Sequence, residues 1–197
     1  MRKPLISIIT ASYNSEATIK DTIESVLNQT YKNFEYIIID GASSDDTVRI
    51  IKSYKKKFQN TGISFTFISE PDKGIYNAFN KGMNLAKGSW VCFIGSDDMF
   101  TINAIETYSE NLIENLDLVY SNVEILGQRV MDGFWKWSKF RRKMTIPHVG
   151  AMHNKEFFKK YGLFNTSYKI AADYELLLRA NNNLKCKKVD KILIKMV

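Results

Sequence analysis

Cysteine, histidine and long apolar runs are scarce in this chain. Its 197 residues include two cysteines, Cys92 and Cys186, which are too few for a disulfide framework and are expected to be reduced thiols. No apolar stretch approaches the roughly 20 residues that span a bilayer, and the N-terminal residues lack the apolar segment of a signal peptide. The two histidines, His148 and His153, lie five positions apart with no cysteine nearby in the sequence and make a poor zinc site. We therefore expect a cytoplasmic protein.

The chain also lacks a glycine-rich loop after its first apolar run. Residues 7–14 contain no glycine, and no Gly-x-Gly-x-x-Gly follows them. Rossmann-type oxidoreductases need that fingerprint at this position. Sugar-phosphate nucleotidyltransferases need a glycine-rich loop followed by Arg and Lys. Both classes are therefore disfavoured.

Negative charge is in the minority. Lys and Arg total 28 against 21 Asp and Glu, and the formal net charge of +7 favours anionic partners such as nucleotides, nucleic acid or an acidic membrane surface. The densest basic clusters are residues 55–57 and 139–143, although most such runs are solvated faces. Four aromatic residues interleave with the second cluster: Phe134, Trp135, Trp137 and Phe140. That mixture suits a membrane interface or a surface on which sugars stack, and the two tryptophans are equally compatible with packing a flap.

The first half of the chain alternates between strand-like and helical patterns. This rhythm predicts a mainly parallel α/β sheet with helices on both faces. The predicted strands are residues 5–10, 35–40, 64–69 and 90–94. The predicted helices are residues 15–29, 44–58, 75–86 and 102–114.

The rhythm breaks after the strand-like residues 118–121. The segments expected beyond them are a strand or hairpin at 123–130, an irregular stretch at 131–147, helices at 155–161 and 173–181, and short strands within 185–197. No repeat or linker is visible, so we expect residues 1–197 to form one domain. Residues 1–100 would be its nucleotide-binding half, and residues 101–197 a mixed acceptor and catalytic half.

Two adjacent aspartates, Asp97 and Asp98, follow the apolar run at residues 90–94. The carboxyl ends of parallel strands are the edge at which open α/β sheets bind ligands. Like charges this close repel each other unless a cation lies beside them. Mg²⁺ and Mn²⁺ take carboxylate oxygens and often bind through one or two carboxylates plus substrate phosphates. The pair therefore indicates a divalent metal site, and its alternative role is a turn that caps the next helix.

A second acid ends an earlier predicted strand. Asp40 closes the apolar residues 36–39, where a carboxylate accepts hydrogen bonds from a base or a ribose. Tyr13, at the end of the first strand, would lie beside it and could stack on a base. The alternative role of Asp40 is to cap the turn that follows.

Five short motifs give the chain a family resemblance. They are SIITASYN at 7–14, IDGASSDDT at 39–47, NKG at 80–82 with AKG at 86–88, GSDD at 95–98 and ADYE at 172–175. In order and spacing they resemble family 2 glycosyltransferases, over nearly the whole chain. The string EPDKGIYN at 70–77 is similar to the bacterial branch that builds capsular, O-antigen and colanic-acid-type polysaccharides.

The resemblance implies a GT-A fold and transfer of a sugar, with inversion, from a nucleotide-diphosphate donor that is usually UDP-linked. Donor-binding roles are implied for Ala11 and Tyr13, for Asp40 as the acid that reads the base, and for Asp97 near the ribose or sugar. Asp98 matches the acid that holds the metal, Mn²⁺ or Mg²⁺.

Asp173 matches the general base, which would deprotonate the acceptor hydroxyl; its alternative role is to cap the helix that it precedes. Lys73 could add a charge on the phosphates but is otherwise a solvated lysine. His148 could line the donor or acceptor site, whereas His153 is expected to pack or face solvent.

The sequence departs from the family pattern at two places. Gly41 and Ala42 follow Asp40 where Asp-Gly is common, and Gly95 replaces an acid; both changes bear on donor identity more than on reaction class. No Gln-x-x-Arg-Trp is present, so addition of a single sugar is favoured over processive synthesis. A catalytically weak nucleotide-sugar-binding scaffold is the alternative.

The expected partners follow from the same resemblance. They are a nucleotide-diphosphate sugar and a glycan or polyprenyl-linked glycan acceptor, with no nucleic acid. The basic and aromatic residues are compatible with peripheral contact at the inner face of the cytoplasmic membrane.

Overall fold

The computed structural model describes residues 6–196, and its first half is a parallel α/β unit. One or two helices connect each strand to the next there: β1 (Ile6–Ser12), α1 (Ile19–Leu27), β2 (Phe34–Asp40), α2 (Thr47–Ser53), α3 (Lys55–Thr61), β3 (Ser64–Ser69), α4 (Ile75–Leu85) and β4 (Trp90–Gly95). The strands lie side by side in the order β3-β2-β1-β4, and all three pairings are parallel. The predicted parallel sheet is confirmed.

The second half extends the same sheet with mixed pairing. Its elements are β5 (Met99–Phe100), α5 (Ala104–Ser109), β6 (Leu118–Ile125), β7 (Arg129–Met131), α6 (Trp137–Phe140), β8 (Met152–Asn154), α7 (Lys155–Tyr161), α8 (Ala172–Leu178), a 3₁₀ turn (Asn181–Asn183) and β9 (Cys186–Met196). Antiparallel β8 joins β4 to β6, after which β9 and β5 complete the order β4-β8-β6-β9-β5. The division of roles between the two halves stays a prediction.

Several predicted boundaries were wrong. The single helix expected at 44–58 is two helices that meet at Tyr54, a buried residue whose hydroxyl donates to Glu24 Oε1 at 2.6 Å. The helix expected at 102–114 ends at Ser109, and Asn111 N–H then bonds the carbonyl of Tyr108 at 2.7 Å. The short strands expected near the end are one long strand, β9, with a register shift beside Asn122.

Three strands of the first half, β1, β2 and β4, are buried on both faces, whereas the edge strand β3 is partly exposed. Every residue of β1 and β2 is buried, and alternate side chains point to two hydrophobic clusters, with Ile8 in one and Ile9 in the other. This explains why the strands read as continuous apolar runs. Among residues 6–196, no helix is both long and apolar enough to cross a membrane.

A buried acid ties the amino end of this sheet together. Glu35 on β2 is 4% exposed, and its Oε1 accepts hydrogen bonds from the hydroxyl of Ser7 at 2.7 Å and from the amide of Lys87 at 2.5 Å. The turn that enters β4 is thereby held against β1 and β2. The opposite, carboxyl edge is left free to bind ligands.

Candidate active site

Two neighbouring cavities lie at the carboxyl ends of β1, β2 and β4. The first, of about 520 Å³, is bordered by Ala11 and Tyr13 after β1 and by Gly41 after β2. The second, of about 370 Å³, contains Asp98 and Asp173. Both cavities share Ile75, Gly95 and Asp97 in their walls, so they form two compartments of one cleft.

The loops that border the first cavity are linked to each other. Asn14, after β1, donates its backbone N–H to Ser43 Oγ at 2.8 Å. Its side-chain oxygen accepts the backbone N–H of Ser44 at 2.9 Å. Asn14 and Ala42 both have left-handed backbones, with φ of 47° and 61°. Such conformations cost energy for residues other than glycine and are retained where the surrounding structure holds them. Tyr13 remains 65% exposed, with its ring in the wall of the cavity.

Asp40 lies beneath the first cavity and is fully buried. Its Oδ1 accepts hydrogen bonds from the hydroxyls of Ser12 at 3.1 Å and Ser43 at 2.5 Å. Its Oδ2 accepts the Ser43 amide at 3.0 Å and the Ser69 hydroxyl at 2.7 Å. Asp40 therefore joins the ends of β1 and β3 to the loop that follows β2.

Asp98 is a buried acid with one unpaired oxygen. The residue is 6% exposed, and its Oδ2 accepts the Gly95 amide at 3.2 Å. Among the described residues, no group donates a hydrogen bond to its buried Oδ1. Burial, and secondarily the charge of Asp97, raises the pKa of Asp98 to about 7. A cation bound beside this carboxylate would favour its ionised form and lower its pKa.

The arrangement at Gly95 fits a divalent cation. A Cβ at this position would lie 2.7 Å from Asp97 Oδ1 and 2.8 Å from Asp98 Oδ2, so the absence of a side chain lets both carboxylates converge. Within residues 6–196, no set of three or more His, Cys, Asp or Glu side chains forms a complete metal cage. Two carboxylates suit a Mg²⁺ or Mn²⁺ ion whose remaining ligands are water and substrate phosphates.

Asp173 stands in the second cavity with two polar neighbours. It lies in the first turn of α8, and its Oδ1 accepts a hydrogen bond from the hydroxyl of Tyr76 at 3.1 Å. His148 Nδ1 lies 3.8 Å from Asp173 Oδ2, and burial lowers the pKa of this histidine. Burial and the Asp173 carboxylate raise the pKa of Tyr76 to about 12, so the phenol stays a hydrogen-bond donor.

The structure brings most of the predicted site residues into the cleft. The residues that line it are Ala11, Tyr13, Asp97, Asp98, His148 and Asp173. Asp40 supports the cleft from below. Lys73 does not line either compartment: this exposed lysine borders an adjoining third cavity with Tyr168 and Lys169. A role for Lys73 at the phosphates stays a prediction.

Two titratable residues of the cleft, Asp72 and Tyr76, are not among the site residues predicted from the sequence. Both lie in the string at 70–77, whose only signal in the sequence is the family resemblance. His153, for which the sequence is compatible with packing or with solvent exposure, is buried and lies against Phe93 at a ring-centroid distance of 5.6 Å.

The basic and aromatic segment lies beside the second cavity. Trp135 packs on Trp137 and Phe140, with ring centroids 6.3 and 4.9 Å apart, so the tryptophans pack with each other and with the core. Phe134 is 48% exposed, and Met131, which is also exposed, lines the second cavity. Apolar surface therefore lies next to the cleft, beside the cations at 139–143.

The fold and the cleft define a glycosyltransferase of the GT-A type. The sequence matches the family model described as "Glycosyl transferase family 2" over residues 7–173, and the chain belongs to that family. A PGL/p-HBAD biosynthesis glycosyltransferase of Mycobacterium tuberculosis is 28% identical over 93% of this chain and 72% of its own length.

Two solved structures share the fold. TarS 1-349 of S. aureus, in complex with UDP-GlcNAc, superimposes with a TM-score of 0.76 at 19% identity, over 96% of this chain and 57% of that one. The mannosyltransferase PcManGT of Pyrobaculum calidifontis, in complex with GDP-Man and Mn²⁺, has a TM-score of 0.75 at 15% identity, over 99% of this chain and 57% of that one. This chain thus spans little more than half the length of either solved chain.

Proposed function

We propose that the chain catalyses metal-dependent, inverting transfer of one sugar from a nucleotide-diphosphate sugar to a glycan or lipid-linked glycan acceptor. The observation that carries this proposal is the cleft itself. One compartment suits a nucleotide, the other holds Asp98 and Asp173, and Asp97 borders both. The reacting sugar would occupy the junction.

The first cavity suits the nucleoside of the donor. Its volume of about 520 Å³ falls within the usual range of small-molecule sites. Ala11, next to the last residue of β1, contributes only a methyl side chain to the cavity wall. The exposed ring of Tyr13 offers a face on which a base could stack. We expect the diphosphate to point from here towards Asp97 and Asp98.

Asp98, with help from Asp97, would hold Mn²⁺ or Mg²⁺ against the donor diphosphate. A bound ion would supply Lewis-acid stabilisation of the charge that develops on the leaving diphosphate. The buried, unpaired Oδ1 of Asp98 supports this role, because a buried carboxylate oxygen without a donor is costly unless a ligand occupies it.

Asp173 would act as the general base. The acceptor hydroxyl attacks the anomeric carbon, the bond from that carbon to the diphosphate oxygen breaks, and the hydroxyl proton passes to the Asp173 carboxylate. Tyr76 occupies Oδ1, so Oδ2 is the oxygen that would take the proton, with His148 near it. General-base catalysis of this kind contributes about 10²–10⁴ in rate.

The acceptor is proposed from family resemblance and from surface chemistry. A surface polysaccharide or polyprenyl-linked intermediate would be met at the inner face of the cytoplasmic membrane. Exposed Phe134 and Met131 beside the cations at 139–143 support a peripheral contact with an anionic bilayer. The substrate would enter the second cavity from this side.

Calorimetric titration with UDP, GDP and CMP, each with and without Mn²⁺, tests the donor assignment. Metal-enhanced binding of a nucleoside diphosphate supports the proposal, whereas no binding of any nucleotide would leave the scaffold alternative ahead. Asp173→Asn should retain nucleotide binding and lose transfer by about 10²–10⁴-fold. Asp190→Asn, at an exposed position on β9, is the matched control and should keep both properties.

A further inference from the structure

The acid at the end of β2 has little capacity left for a ligand. Four donors, supplied by Ser12, Ser43 and Ser69, already converge on the Asp40 carboxylate. A carboxylate accepts about four hydrogen bonds, two at each oxygen. Asp40 is also fully buried, and it is not part of the wall of the first cavity. To bind a base directly, it would have to give up one of the bonds that hold the ends of β1 and β3 and the loop after β2.

A different acid, Asp72, lies in the wall of the first cavity beside the residue that follows Asp40. Gly41 follows Asp40, and a Cβ built on it would lie 2.9 Å from Asp72 Oδ2 and 3.3 Å from the Tyr13 ring. Asp72 thus extends its carboxylate into the space that a side chain at position 41 would take. Both Asp72 and Gly41 line the first cavity together with Tyr13.

The loop that carries Asp72 is braced. Asp72 Oδ1 accepts the backbone N–H of Gly74 at 2.8 Å, and among the described residues no group donates a hydrogen bond to Asp72 Oδ2. Lys81 of α4 donates to the carbonyl of Pro71 at 2.9 Å and pairs with Glu70 at 2.8 Å. One oxygen of Asp72 is therefore used to set the position of the carboxylate, and the other remains available beside Tyr13.

We propose that Asp72, and not Asp40, is the acid that recognises the nucleotide base, and that it selects uracil or guanine. The inference rests on the proposed function. A carboxylate only accepts hydrogen bonds, so it favours a base whose ring nitrogen carries a hydrogen. The amino groups of cytosine and adenine also donate, but each lies next to an unprotonated ring nitrogen. Uracil offers N3–H and guanine offers N1–H with its amino group. Cytosine presents an unprotonated N3 there, which repels a carboxylate, so CMP-linked and CDP-linked donors are disfavoured.

The test changes the base and the residue together. Binding of UDP and N3-methyl-UDP, and of GDP and N1-methyl-GDP, is measured by calorimetry with Mn²⁺ for wild type, Asp72→Ala and Asp190→Asn. Methylation removes the ring N–H, and a hydrogen bond to a charged group is worth about a 10- to 150-fold change in affinity. We expect wild type and Asp190→Asn to prefer the unmethylated form of one nucleotide by such a factor. In Asp72→Ala the preference should disappear, because both forms then meet the same neutral wall.

The outcomes separate this inference from the proposed function. A preference that survives in Asp72→Ala would overturn the role of Asp72 while leaving a working donor site. Tighter binding of CDP than of UDP and GDP would overturn the choice of base. No binding of any nucleotide to wild type would overturn both proposals. Asp40→Asn gives an independent check: it should lower the melting temperature, and in the folded protein the preference for the unmethylated base should persist.

Discussion

Replacing Asp98 with asparagine should make the metal-free protein more stable and at the same time remove its response to metal. Asp98 is buried, and its pKa is raised from 3.8 to about 7 in the folded chain. Because the folded-state pKa lies above the unfolded value, protonation favours folding. This contribution is complete at low pH and is lost as the pH rises from about 4 to about 7.

The size of the effect follows from the pKa difference. About three pKa units correspond to about 4 kcal/mol of stability lost at neutral pH and above. Asparagine has nearly the same shape, keeps an oxygen for the Gly95 amide and carries no charge. Between about pH 5 and pH 8 the advantage of the variant should therefore grow by about 3 kcal/mol, or about 6–12 °C in melting temperature for a chain of this size.

The assay is thermal unfolding of wild type, Asp98→Asn and the exposed control Asp190→Asn across this pH range. Titration of the two histidines is common to all three proteins and cancels in the differences. With UDP or GDP, whichever binds, added Mn²⁺ should raise the melting temperature of wild type and of the control only. At about 100 times its dissociation constant, a ligand adds about 2.7 kcal/mol.

Two results would refute this reasoning. An advantage of Asp98→Asn that does not change with pH would show that Asp98 is not held protonated by its surroundings. A variant that still gains stability from Mn²⁺ would show that the metal is bound elsewhere.

The remaining predictions concern the proposed general base Asp173, the packing of a helix on the sheet, and a buried histidine. Tyr76→Phe removes the hydrogen bond that positions Asp173. It should therefore lower kcat by about tenfold with little change in the donor KM, and it should shift the pH profile of kcat. An unchanged pH profile would contradict a positioning role for Tyr76. Gly82→Ala should destabilise the fold by about 1–3 kcal/mol in denaturant unfolding, because the new methyl group would overlap the Ile9 side chain; a neutral change would show that α4 and β1 separate readily. Burial lowers the pKa of His153, so the contribution of this histidine to stability is lost as the pH falls below about 6.5. His153→Phe should therefore show a smaller drop in melting temperature below that pH than wild type does. An unchanged pH dependence of the melting temperature would contradict this role of His153.

Local pattern was enough to locate the parallel half of the sheet and its reactive edge. The apolar runs of β1, β2 and β4 appear in the sequence because strands buried on both faces need apolar side chains at nearly every position. The acids that end β2 and follow β4 could be placed at one edge because parallel strands share their direction. The family motifs then associated those acids with glycosyl transfer.

Short elements and polar pairings were decided by the tertiary structure. The three residues of β8 carry no strand pattern of their own, and they are a strand only because β4 and β6 flank them. Asp173 meets Tyr76 across 97 positions of sequence, and Asp72 reaches Gly41 from another loop. The sequence by itself determined which residues favour a parallel sheet and which carry charge at its edge. Whether a carboxylate is saturated, as at Asp40, or left free depends partly on groups brought together by folding. The bonds from Ser12 and Ser69 to Asp40 each close a loop of nearly 30 residues, and local propensity does not contain that information.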